Sequence, residues 1–304
     1  VSTTTKLGED RQRRKRPRDG KWKMPWSTFV IALIFLIGAL TVSYPTVASW
    51  FSQYNQSKII GSMSSEVSGE GVSALHEEIL KAHEYNKALV GGAELSPSSN
   101  VPMGNGRSGS ELDYNNLLKV RGDGLMGRLK IPAIKVDLPI YHGTAASTLE
   151  KGVGHLEGTS LPVGGESQHS VLTAHRGLPD ATLFNDLPKL KIGDRFTVEV
   201  FGEVLTYEVK ETQTVLPDES KALIPVYGKD LVTLVTCTPL GINTHRMLVT
   251  AERVTPTPIE DIEAAGKIPD IPGHPWWAWG LAAAVIGSGT WVYLAGRPRK
   301  NGAA

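Results

Sequence analysis

From Trp26 to Tyr44 the chain runs for 19 residues without a formal charge, dominated by Phe29, Val30, Ile31, Leu33, Ile34, Phe35, Leu36, Ile37 and Leu40. At helical rise such a run matches a hydrocarbon core of roughly 30 Å. A second uncharged stretch, Pro275 to Gly296 (22 residues), has Leu281–Ile286 at its centre and Trp276, Trp277, Trp279, Trp291 and Tyr293 towards its ends, where an interfacial aromatic belt belongs. Between these runs the pattern changes twice. Glu70–Leu89 carries Val72, Leu75, Ile79, Ala82 and Leu89 at three- and four-residue spacings with charges between them, which predicts an amphipathic helix. Residues 91–110 have Gly, Ser, Pro or Asn at nearly every second position and read as a mobile loop.

From Leu125 the pattern becomes short β-type runs separated by turn signals: Arg128–Ile131, Lys135–Ile140, His169–Ala174, Arg195–Phe201, Val204–Glu211, Leu231–Thr236 and Arg246–Arg253. Their length and β-branched content predict an antiparallel barrel or sandwich, with a short helix around Leu183–Leu190 as the interruption. Five prolines between Pro256 and Pro275 mark a linker. The expected organisation is therefore mainly β, with a helical stem and two transmembrane helices. Residues 1–25 form a basic tail, 26–44 a first span, 45–124 stem and loop, 125–254 the β domain, 255–274 a linker, 275–296 a second span and 297–304 a tail.

Charge sharpens this picture. The chain of 304 residues is nearly neutral, with 32 Lys and Arg against 31 Asp and Glu, but the distribution is uneven. Residues 1–25 hold nine bases and three acids and the last residues add Arg297, Arg299 and Lys300, so 20 bases face 28 acids in between. A basic arm such as Arg11–Arg18 can bind nucleic acid, but the apolar run behind it favours the membrane reading, with no nucleic-acid partner. Basic residues at the outer ends of both spans place both termini in the cytoplasm and residues of about 45–274 outside, with the bilayer itself as a partner. Ser43-Tyr44-Pro45 is a poor cleavage site and the apolar run is long for a signal peptide, so the first span is expected to stay.

A single cysteine excludes an internal disulfide and a multi-thiolate metal site, so any sulfur chemistry rests on Cys237. It ends the run Leu231–Thr236 and precedes Thr238-Pro239, where a buried strand emerges into a loop. Most lone cysteines are small core residues; an unpaired thiol kept outside the cell is exposed to oxidation, which points to use. A thiol nucleophile needs a base or cation and a proton donor. His175 follows the apolar run Ser170–Ala174 and precedes Arg176-Gly177, another strand end, whereas His142, His155, His169 and His245 compete less well. Arg246 lies nine residues after Cys237, a separation that suits a loop returning the chain antiparallel. There a guanidinium could donate to a developing oxyanion. Thr173 and Thr236 are candidates for orienting the site. No Gly-x-Gly pattern carries the Lys-Ser/Thr of a phosphate loop.

Thr173–Gly177, Thr233–Pro239 and Asn243–Arg246 resemble the His, Cys and Arg motifs of sortases, and Lys151–Gly165 resembles their class C, pilus-assembling branch from Gram-positive bacteria. The likeness runs from about Leu125 to Val254. It implies an eight-stranded sortase β-barrel with Cys237 as nucleophile, His175 as general acid/base and Arg246 as oxyanion or substrate stabiliser, and no cofactor. It further implies cleavage of a Leu-Pro-x-Thr-Gly-like signal between Thr and Gly, a thioester, and transfer to a lysine amine of the next pilin. Transfer to a peptidoglycan precursor is the alternative acceptor, and a non-enzymatic tethered scaffold the alternative without chemistry. Five Leu-Pro pairs, at Leu138, Leu161, Leu178, Leu187 and Leu216, none continuing as x-Thr-Gly, make the chain machine rather than cargo. Class C relatives usually place an Asp-Pro-aromatic motif in the loop ahead of the barrel. Between Gly91 and Asn116 there is no Asp-Pro pair and Tyr114 is the lone aromatic, so the expected lid is weakly held or uses another group such as Met103.

Overall fold

A computed structural model describes residues 21–90, 107–108, 113–120, 122–219 and 221–298. Its helices are α1 (Trp26–Gly69), α2 (Val72–Ala88), α3 (Ala146–Leu149), α4 (Ile259–Ala264) and α5 (Trp276–Ala295). Its barrel strands are β1 (Leu125–Ile131), β2 (Val136–His142), β3 (Val153–His155), β4 (Gln168–Thr173), β5 (Arg195–Val200), β6 (Glu203–Val215), β7 (Asp230–Thr238) and β8 (His245–Arg253). The chain divides into one unit of Val1–Ser43 with Trp276–Ala304 and a second of Tyr44–Pro275.

In the first unit, α5 and the beginning of α1 belong to helices long and apolar enough to cross a membrane, with mean hydropathies of 1.3 and 2.1 over their most apolar stretches. Trp22 Nε1 donates to the Tyr293 carbonyl at 3.1 Å and Lys23 N to the Gly296 carbonyl at 3.2 Å, which joins the ends of the two helical segments. The apolar run ends at Tyr44, but α1 does not. It continues through Pro45 to Gly69. Proline costs a helix one hydrogen bond, and packing of the later turns offsets it: Gln56, Ile60 and Met63 are buried.

The eight strands close in the order β8-β6-β5-β1-β2-β3-β4-β7 and back to β8. Two pairings, β2 with β3 and β4 with β7, are parallel, which corrects the expectation of an all-antiparallel sheet. β3 was not anticipated, because three residues are too few for an alternating pattern to register. Gly154 is required there, since a Cβ would strike the Gly143 carbonyl oxygen and come 2.8 Å from Leu149 Cδ2. Alternate residues of every strand point inward. Leu129, Ile140, Leu172, Val198, Tyr207, Leu234 and Val249 belong to one core, which Ile79, Ala82 and Tyr85 of α2 join. The helix expected around Leu183–Leu190 shrinks to one 3-10 turn, Leu187–Lys189: Pro188 has no N–H, and Leu183 sits at φ +37°.

On the outer face of β5-β1-β2 lies a buried ionic cluster. Arg128, 1% exposed, donates through Nε and Nη2 to the two oxygens of Asp137 at 2.7 and 2.6 Å, and through Nη1 to Glu199 at 3.4 Å. The same Nη1 reaches the Lys267 carbonyl at 2.9 Å, while Glu199 accepts from Gly266 N at 3.2 Å and Asp261 from Thr206 at 2.7 Å. The 255–274 segment, read as a linker, thus carries α4 and is hydrogen-bonded to the barrel. Because a buried carboxylate without its cation is costly, Arg128→Ala should lower unfolding free energy by about 3–5 kcal/mol in a urea titration. A loss under about 1 kcal/mol would show that water screens the cluster.

Candidate active site

The register of β7 assembles the site. On one edge β8 pairs antiparallel, with Arg246 directly opposite Cys237, Leu248 opposite Val235 and Thr250 opposite Thr233. On the other, β4 pairs parallel, with Thr173 opposite Val235, and the ladder extends through Ala174 N donating to the Val235 carbonyl at 3.2 Å. Continued two residues past Thr173 at the same parity, the path of β4 leads His175 towards the level of Cys237. Positions 237 and 246 therefore pair across β7 and β8 on the face opposite the main core, and the chain leaving β4 carries position 175 towards that end of the sheet. Below that pair Val171, Val235 and Leu248 form a smaller apolar cluster with Leu156, Val215 and Leu223.

Cys237 is 6% exposed and Arg246 2%, while His175 is half-buried. Arg246 Nη1 donates to the carbonyls of Asn243 and His245 at 3.1 and 3.2 Å, which fixes the guanidinium over the turn that joins β7 to β8. Burial pushes the Cys237 thiol above its ordinary value of 9.0, and the Arg246 charge opposes that rise. Burial likewise pulls the His175 imidazole below 6.5 against the attraction of Glu150. Around neutral pH both groups are therefore mostly uncharged, and a thiolate beside an imidazolium is a minor form.

The remaining candidates separate cleanly. Thr236 Oγ1 donates to the Ala174 carbonyl at 2.9 Å, so it ties β7 to the residue preceding His175. Thr173 is buried one row below, at the level of Val235. Met103 lies outside the described residues. His155 is fully buried; its Nε2 faces the Ser160 carbonyl at 2.9 Å and its Nδ1 the Tyr114 hydroxyl at 2.9 Å, and burial lowers it to about 4. His142 lies between the carbonyls of Gly124 and Leu117, and His169 between the Ile224 carbonyl and the Thr233 hydroxyl. His245 meets the Thr244 hydroxyl on the surface. Each of these is engaged away from the sulfur. Among the described residues no group of three or more His, Cys, Asp or Glu is placed to hold a metal ion.

Sequence reasoning missed the brace around His175. Arg176 donates through Nη1 to Thr238 Oγ1 and through Nε to the Asn185 carbonyl, both at 3.3 Å, which links the loop after β4 to the end of β7. Asn185 Oδ1 accepts from Gly177 N at 2.5 Å, and the His175 carbonyl accepts from Phe184 N at 3.1 Å. Gly177 has φ +87°, and a Cβ on it would lie 2.7 Å from Leu240 Cδ1. The Asn185 contact spans eight residues of irregular chain, so no periodicity announces it.

A thiol opposite a guanidinium at a strand end, with a histidine just past the end of the neighbouring strand, suits acyl transfer through sulfur, carried here by a closed mixed barrel. The Sortase domain model matches residues 129–254. The crystal structure of sortase C-1 from Actinomyces oris is 46% identical, with a TM-score of 0.53, 60% of this chain and 98% of that one being covered. That of Streptococcus pneumoniae Sortase C is 40% identical, with a TM-score of 0.58 and coverage of 65% and 96%. Sortase D of Bacillus subtilis is 34% identical over 132 residues, which are 42% of this chain and 64% of that protein. The chain belongs to the sortase family, whose members are cysteine transpeptidases.

Two measurements probe this geometry. The rate of Cys237 alkylation by iodoacetamide should rise with pH to a midpoint above 9.0, and Arg246→Gln should move that midpoint higher still by removing the cation that favours thiolate. A wild-type midpoint near neutrality would contradict the buried, neutral thiol. Separately, Gly177→Ala should destabilise the fold by about 1–2 kcal/mol through its left-handed backbone, plus the clash with Leu240. Adding Leu240→Ala should recover only the clash, as read by chemical denaturation.

Proposed function

We propose that this protein is a membrane-anchored transpeptidase that joins pilin subunits, with Cys237 as nucleophile, His175 as general acid/base and Arg246 as stabiliser of the oxyanion or substrate. The single observation that carries the reading is the register that sets Arg246 opposite Cys237, with β4, the strand that precedes His175, paired on the other edge of β7. Support for the pilin branch comes from the likeness to Streptococcus pneumoniae Sortase C, a structure described in terms of pilin substrate specificity.

In this reading the Cys237 thiolate attacks the carbonyl carbon of Thr in an LPxTG-like sorting signal. The Thr–Gly amide breaks, the His175 imidazolium gives its proton to the departing Gly amine, and a thioester remains. A lysine amine of the next pilin then attacks the thioester, losing a proton to the imidazole, and the thiolate leaves as the isopeptide bond forms. One amide is exchanged for another, so no nucleotide and no cofactor is consumed. Each tetrahedral intermediate carries an oxyanion, for which the buried guanidinium is a fixed donor that needs no reorganisation. The ion-pair form of Cys237 and His175 reacts, so kcat/KM should fall on the acid side below pH 6.5 and on the alkaline side above 9.0. Two spans with basic outer flanks would hold the catalytic domain outside the cell and both termini in the cytoplasm.

The test is a covalent adduct. Full-length protein incubated with a sorting-signal peptide should gain the mass of the peptide's Leu-Pro-x-Thr portion, seen by mass spectrometry and reversed by hydroxylamine. Cys237→Ala should abolish the adduct, and chasing with a pilin lysine should release it as an isopeptide. Release only by a peptidoglycan amine would reassign the acceptor, and an adduct that survives Cys237→Ala would overturn the mechanism.

A further inference from the structure

The hydrogen bonds around His175 do not stop at its own loop. Asn185, whose side chain holds Gly177, also donates its backbone N–H to the Thr182 carbonyl at 2.9 Å. The hydroxyl of Thr182 points the other way, onto the stem. Gln53 Nε2 donates to Thr182 Oγ1 at 2.8 Å, and Ser49 Oγ lies 2.8 Å from the same oxygen. Ser49 and Gln53 are four residues apart, one turn of α1, and so share a helix face. A hydroxyl offers one donor and two acceptor positions, so both bonds can be made at once.

We propose that Ser49 and Gln53 are positioning residues for the reaction, acting through Thr182 to set the loop that presents His175. The inference rests on the assignment of His175 as acid/base. Residues 174–186 form neither helix nor strand, so the loop is held by the core burial of Ala181, Leu183 and Phe184 and by its hydrogen bonds. Beyond that packing, polar contacts hold it at the Arg176 and Asn185 brace and at Thr182. Untying the Thr182 contact lets the segment bearing Asn185 shift against Gly177, and the imidazole shifts with it. Displacements of about an ångström at a reacting group cost up to roughly a hundredfold in rate.

The experiment uses the full chain in lipid nanodiscs, with Thr182→Val to remove both bonds at constant shape and Thr182→Ser to restore the hydroxyl. Peptide cleavage gives kcat and KM. Carbon-13 spectra of ring-labelled His175 give its titration whether or not turnover occurs. Thr182→Val should lower kcat by roughly ten- to hundredfold with KM within about twofold of wild type, and should move the His175 titration together with the acid side of the kcat profile. Thr182→Ser should return all three. Gln53→Ala should lower kcat in the wild-type background but add little to Thr182→Val, since both act through one contact.

Unmoved His175 signals with unchanged kcat in Thr182→Val overturn the proposal. So does a Thr182→Ser protein that remains as impaired as the valine variant, because the hydroxyl is then not what matters. Should wild-type protein form no thioester while His175 signals still move with valine and return with serine, the positioning contact stands and the transpeptidase reading fails.

Discussion

Pairing of β7 with parallel β4 on one edge and antiparallel β8 on the other fixes what the rest of the molecule can do. Strand side chains alternate faces, so a slip of one residue in either pairing would send Cys237 away from His175 or Arg246. The parity is secured on the inner face, where Leu172, Leu234 and Val249 must all enter the core. The same alternation that buries these residues presents positions 237 and 246 on the other side. Core packing and site geometry are thus a single constraint, and the two parallel pairings are part of it: β4 can run alongside β7 only because the chain crosses the barrel in between.

The electrostatics follow from where that pair sits. A buried sulfur is favoured as thiol, and the nearby guanidinium offsets only part of that preference. A protonated thiol is slow to oxidise, so burial protects the chain's single cysteine. The other buried histidines are set apart by their partners. His155 is locked between a tyrosine hydroxyl and a main-chain carbonyl, which orders the segment around Tyr114 against β3.

Much of this was legible in the sequence. Seven of the eight barrel strands were visible as β-branched runs, and Cys237, His175 and Arg246 stood out because each ends, follows or begins such a run. β3 escaped because three residues cannot show a period. The extension of α1 past Pro45 escaped because the apolar signal ends at Tyr44, while the helix beyond it is stabilised by burial of Gln56, Ile60 and Met63, contacts made only in the folded state. Asn185, Arg176 and Thr182 escaped for a related reason: their partners are distant in sequence, and an asparagine or threonine in a loop is ordinarily read as turn chemistry. The ionic cluster at Arg128 had no signal either, since an arginine in a strand looks the same whether its tip is solvated or bonded to two carboxylates.

That cluster has a mechanical consequence. Arg128, Asp137 and Glu199 stand on β1, β2 and β5, and around the closed barrel these are separated from β4, β7 and β8 by β3 on one side and β6 on the other. A pull on the chain near Lys267 is received by Arg128 and Glu199, on the wall away from the Cys237–Arg246 pair. Force applied there enters the side of the cylinder away from Cys237 and Arg246, so the spacing of that pair is not directly loaded.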